Sequence, residues 1–189
     1  MLSARPLARR SLAALALCMA ALPLAGPLHA PASAQVSYQD GGMAVRFGDF
    51  VEARKLYREE CDRGELESCV GLAHLWRQGR GGDQDLEKAQ AMFADACEKG
   101  SADACTSGAF LHFEGRDGET DYEAARTLYQ KACDLDDVSG CAGYGNMLYA
   151  GLGGPYNRVE GERLLNRACA QEYDWACEQL RKYGRNRPD

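Results

Sequence analysis

Apolar residues along this chain recur at helical spacing, and the helical blocks themselves recur every 36 residues. A period of that size marks stacked copies of one supersecondary unit. Copy one runs from 49 to 84, copy two from 85 to 120 and copy three from 121 to 156, while a fourth starts at 157 and stops near 184. Each copy opens on Asp49, Asp85, Asp121 or Asn157, residues whose side-chain oxygen accepts a backbone N–H of the first helical turn. Glu52 and Glu160 follow three residues later and complete a capping-box pattern. Next come a small residue (Ala53, Ala89, Ala125, Gly161), two bulky ones (Leu56-Tyr57, Met92-Phe93, Leu128-Tyr129, Leu164-Leu165) and a cysteine. These positions fall on one stripe and predict a helix, A.

A break at Gly64, Gly100, Asp136 and Glu172 separates helix A from a second apolar segment, helix B, read as starting at the second cysteine of each copy. Gly79, Gly115 and Gly151 end helix B, because glycine takes the left-handed conformation after a helix cheaply. Gly82, Gly118 and Gly154 lie in the loop to the next cap. The pattern predicts an all-α fold of four helix hairpins over 49–184, with a lead-in at 35–48 and a tail at 185–189.

The cysteines keep the same beat: Cys61 and Cys69, Cys97 and Cys105, Cys133 and Cys141, Cys169 and Cys177. Residues eight apart in one helix would lie about 12 Å apart along the axis, and a disulfide needs Cα atoms within about 7 Å. A bond inside a copy therefore requires a chain reversal, and the break supplies one. Eight cysteines allow 105 pairings, and the period favours the four within-copy pairs. Zinc-binding cysteines are spaced more closely, and no C-x-x-C is present, so no metal site, cofactor or redox motif is expected.

Residues 1–34 read as a secretory signal peptide: Arg5, Arg9 and Arg10 lead, an Ala/Leu-rich run follows, and Ala32-Ser33-Ala34 offers small residues for cleavage. Its removal would take three arginines from 22 basic and 28 acidic side chains, leaving 19 against 28, or −9. That charge disfavours nucleic acid and anionic membrane as partners. The expected mature chain is periplasmic or secreted, a monomer with no membrane span.

The Gly-x-Gly-Gly run after helix B, given best by Tyr144-Gly145-Asn146-Met147-Leu148-Tyr149-Ala150-Gly151-Leu152-Gly153-Gly154, resembles the Sel-like repeats, relatives of the tetratricopeptide repeat. The 36-residue period with C-x7-C resembles the secreted, cysteine-rich branch of that family. The resemblance implies a right-handed α/α superhelical solenoid of disulfide-stapled hairpins, A helices lining a concave face, and a role as a scaffold or adaptor for a protein or peptide, cell-wall-derived material included. The branch is also associated with penicillin binding and β-lactamase-type activity, so a peptidoglycan-related hydrolase is the alternative function. No Ser-x-x-Lys, Gly-x-Ser-x-Gly or His-Glu-x-x-His motif occurs, and no catalytic residue is expected. Positions that vary between copies on a repeated scaffold are where binding specificity is written. On helix A these include Arg54, Arg58, Lys88 and Arg126; on helix B, His74, Phe110 and Asn146.

Overall fold

The computed structural model describes residues 39–115 and 119–185. Among them the chain forms α1 (Gly41–Arg46), α2 (Phe50–Asp62), α3 (Leu66–Gln78), α4 (Leu86–Glu98), α5 (Ala102–Glu114), α6 (Tyr122–Asp134), α7 (Val138–Ala150), α8 (Arg158–Ala170) and α9 (Asp174–Arg185). Helices consecutive in sequence pack against each other, so the fold is an all-α solenoid. The A helices are α2, α4, α6 and α8; the B helices are α3, α5, α7 and α9. The leader at 1–34, Gly118 and residues 186–189 of the tail lie outside the described residues. Helix α1 falls inside the 35–48 lead-in, where the repeat pattern predicts no element. None of the described helices is long and apolar enough to cross a membrane.

The four predicted A-helix caps are formed. Asp49, Asp85, Asp121 and Asn157 accept from the backbone N–H three residues on, at 3.1, 2.9, 2.9 and 3.2 Å. The reciprocal half of the capping box is not formed: Glu52 pairs with Lys55, and Glu160 with Arg163. The reason is competition for one donor. The cap N–H of Asp49, Asp85, Asp121 and Asn157 already donates to the carbonyl of Ala44, Trp76, His112 and Leu148, at 2.9–3.0 Å. The last three of these bonds span nine residues and close each B-to-A loop. The B helices begin three residues ahead of the second cysteine, not at it. Ser101 and Asp137 cap α5 and α7 with their own side chains.

Between A and B the chain reverses at one recurring position with positive φ: Gly64 (91°), Gly100 (94°), Asp136 (61°) and Glu172 (62°). The reversal brings paired cysteine Cα atoms to 4.6, 4.7, 4.3 and 4.8 Å, and all four within-hairpin disulfides are closed.

Small residues set how closely the layers approach. Ala53, Ala89 and Ala125 are fully buried at the first A-helix contact position, and Ala96, Ala132 and Ala168 at the second. In α8 the first position is Gly161, where a Cβ would stand 2.6 Å from the Gly145 carbonyl oxygen, so α7 and α8 meet backbone on backbone. Gly71 and Gly143 lie under the rings of Tyr57 and Tyr129, with 2.7 and 2.6 Å to a hypothetical Cβ. Phe93 and Leu165, which share that ring position, and Met147 on the facing layer are fully buried. Helix α5 also touches α7 directly, and α1 touches α3, whereas the A helices make their main contacts through flanking B helices.

Two outcomes follow from the reversal. Cys97→Ser and Cys105→Ser should each destabilise by about 2–4 kcal/mol, and the double variant little more, in urea unfolding; strictly additive losses would mean that the two thiols act independently. Glu172→Gly should raise stability by about 0.5–1 kcal/mol, since a left-handed non-glycine residue is strained by roughly 1–2 kcal/mol and glycine returns part of that as chain entropy; an unchanged or lowered melting temperature counts against the strain.

Candidate functional site

The B layer carries a cleft of 390 Å³. Helix α5 contributes Thr106, Ser107, Phe110 and Phe113, and α7 contributes Ser139, Gly143 and Asn146. The spacing 103–107–110 on α5 and 139–143–146 on α7 is i, i+4, i+7, one face of a helix, and the two sets are offset by the repeat length. Gly143 stands where α5 has Ser107. Its missing side chain lets Tyr129, from the A layer behind, form part of the cleft floor. Tyr173 and Trp175 close the α9 side, and Arg77 of α3 closes the other.

Most polar groups around the cleft are paired. Asp137 Oδ1 accepts from Thr106 Oγ1 and Ser139 Oγ, both at 2.7 Å, and from its cap partner Gly140 N. Asn146 Oδ1 accepts from the Tyr183 hydroxyl. Asp103 accepts from Ser107 Oγ at 3.4 Å on Oδ1 and from His74 Nε2 at 3.1 Å on Oδ2. The hydrogen bond from His74 is the main cause holding the Asp103 carboxyl below its usual range. Burial pushes the Tyr129 hydroxyl well above the ordinary phenol range, with smaller contributions from Tyr173 and Glu114. Burial, then the Asp137 charge, raises Tyr173. These phenols are neutral near pH 7 and act as hydrogen-bonding groups.

The hydroxyl, carboxylate and imidazole of Ser107, Asp103 and His74 are arranged in that order. The carboxylate separates the histidine from the serine, so the imidazole is not placed to take the hydroxyl proton as nucleophilic catalysis requires.

The candidate residues divide by layer. Phe110 and Asn146 both face the cleft, and His74, at the same repeat position, packs edge-on against Phe93 at 4.9 Å. The A-layer cations do other things. Arg54 is 6% exposed and donates to the carbonyls of Leu75, Arg80, Gly82 and Asp83, clamping the loop after α3. Arg126 does the same for Leu152 and Pro155 after α7. Lys88 lies over the Trp76 ring at 4.1 Å, with Arg54 on the same ring at 3.9 Å. Arg58 is exposed on α2. Variation at 54 and 126 thus tracks loop support: α4 has Gln90 at the equivalent place, and Gln90 bonds His112 at 2.9 Å instead. The pair lines a smaller 290 Å³ cleft on the other side of α5.

Arg77, Phe113, Tyr173 and Trp175 were not among the sequence candidates. The signal was available, because 77 and 113 share one repeat position, as do 103, 139 and 175. Reading it requires knowing which B-helix face is left open.

The Sel1 repeat family model matches residues 66–101, 102–137 and 138–173. Its units begin at the B helix, so in that frame Cys97–Cys105 and Cys133–Cys141 join successive matched repeats, and the outer two disulfides tie the first and last to the flanking helices. The fold is similar to a protective antigen of uropathogenic Escherichia coli that displays the SLR fold (TM-score 0.66, 20% identity, 75% of this chain and 32% of that one). The chain thus spans about a third of that antigen's length. It is similar also to a Sel1 repeat protein from Oxalobacter formigenes (0.58, 21%, 67% and 95%) and to Helicobacter pylori cysteine-rich protein B (0.53, 26%, 69% and 93%). No curated protein matches the sequence.

Arg54→Ala should lower stability by about 2–3 kcal/mol, because buried carbonyls lose a charged donor, while Arg58→Ala stays within about 0.5 kcal/mol. Urea unfolding of the two variants checks the difference; equal effects would mean that the clamp contributes nothing.

Proposed function

The chain belongs to the Sel1-repeat family, and from that premise we propose that it is an exported, non-enzymatic scaffold that binds a peptide or protein segment in the cleft of its B layer. The observation carrying this reading is the cleft's lining. Phe110, Phe113, Tyr129, Tyr173 and Trp175 bring five aromatic side chains around one opening. Aromatic residues give large contact areas for little loss of rotamer freedom and are enriched at interfaces. Asn146 and the hydroxyls between them offer the sparse polar contacts that orient a bound chain.

Export is supported by the leader's layout and by four closed disulfides, which persist in oxidising compartments. The partner class is protein or peptide, cell-wall peptides included; the acidic charge balance argues against nucleic acid. The hydrolase alternative draws on family association alone, and the Ser107–Asp103–His74 order gives it no support.

An immobilised peptide array probed with the wild-type protein and with Phe110→Ala tests the reading. Truncating an aromatic at the centre of an interface costs about 2 kcal/mol, so bound spots should weaken by about 30-fold in the variant. A blank array, or the same pattern from both proteins, would overturn it.

A further inference from the structure

Arg77 is the one charged side chain among the described residues lining the cleft. Its Nε is buried and has no hydrogen-bond partner within the chain. A buried donor left unpaired is disfavoured, more so when charged, so its presence beside an opening calls for a ligand. The nearby acidic groups do not satisfy it. Asp103, close enough to feel the Arg77 charge, already has one oxygen on His74 and the other on Ser107. Asp137 has three donors on Oδ1. Asp103 and Asp137 thus accept from other donors, while Arg77 Nε meets no acceptor of the chain.

We infer that Arg77 is a carboxylate anchor: the segment held in the cleft carries a carboxylate beside an apolar or aromatic side chain. This rests on the reading of the cleft as a peptide site. Guanidinium is suited to the task because its planar fork meets a carboxylate with two parallel hydrogen bonds. The placement also fits: Arg77 and Phe113 hold one repeat position on successive B helices and line the same cleft, so a segment whose carboxylate meets Arg77 presents its neighbouring side chains to Phe110 and Phe113.

Calorimetric titration of the full chain with end-blocked peptides tests this. One pair is acetyl-Gly-Glu-Phe-Gly-amide and its Gln counterpart; the other is acetyl-Ala-Ala-Phe as free acid and as amide. The pairs distinguish a side-chain carboxylate from a chain-terminal one. In at least one pair the acid should bind the wild type at least ~10-fold more tightly, as expected for a desolvated charge-assisted pair. Arg77→Gln should abolish that ratio while keeping the affinity for the uncharged peptide within about twofold. Arg77→Lys, which retains charge without the fork, should keep part of the ratio and serves if the Gln variant fails to fold. A ratio near one in both pairs, or a preference that survives Arg77→Gln, overturns the anchor and leaves the cleft reading standing. Binding of no peptide together with a blank array overturns both.

Discussion

The whole solenoid depends on the chain reversing in the short stretch between paired cysteines. Two helices must end and begin within that span, and the only backbone route taken is a single residue with positive φ at 64, 100, 136 and 172. Glycine takes it freely in the first two hairpins; Asp136 and Glu172 are held there by the packing and the disulfide beside them. Once the turn is fixed, the A helix and its B partner are antiparallel neighbours, and the alanines along both are brought into contact. The disulfides act on the unfolded chain, restricting it to conformations with the turn nearly made.

Loop closure is the second constraint, and here the copies differ. Each cap N–H reaches back to the preceding B helix, so cap and loop are one hydrogen-bonded unit. After α3 and α7, an arginine from the same hairpin's A helix gathers the loop carbonyls, and Gly81 and Gly153 lie so close to the Phe50 and Tyr122 carbonyls that a Cβ would sit 2.1 and 2.0 Å away. The middle hairpin has Gln90 and Asp117 at the corresponding positions. Arg54, Arg126 and Gln90, one variable A-helix position, thus serve the scaffold.

The cleft arises from the same packing rules. Gly143 admits the Tyr129 ring into the space between α5 and α7, and the stripe carrying Phe110 and Asn146 remains uncovered. Burial keeps its phenols neutral, and Asp137 and Asp103 at its border accept from Thr106, Ser139, Ser107 and His74. What remains is an aromatic surface with one unpaired guanidinium N–H, the Nε of Arg77.

Hairpins, caps and cysteine pairing were legible in the sequence because each is local. A cap acts over three residues, a disulfide turn over eight, and a 36-residue period repeats the signal until it is unmistakable. The cleft and the roles of individual cations were not legible, because they depend on contacts between residues one or more repeats apart. Arg54 and Arg77 illustrate the limit. Both are arginines on amphipathic helices, yet one is buried beneath a loop and the other lines an aromatic opening. Sequence determined the unit and its staple by local hydrogen bonding and chain geometry. Only the stacking of units decided which helix face stayed open, since that is set by where glycine and alanine let neighbouring backbones approach.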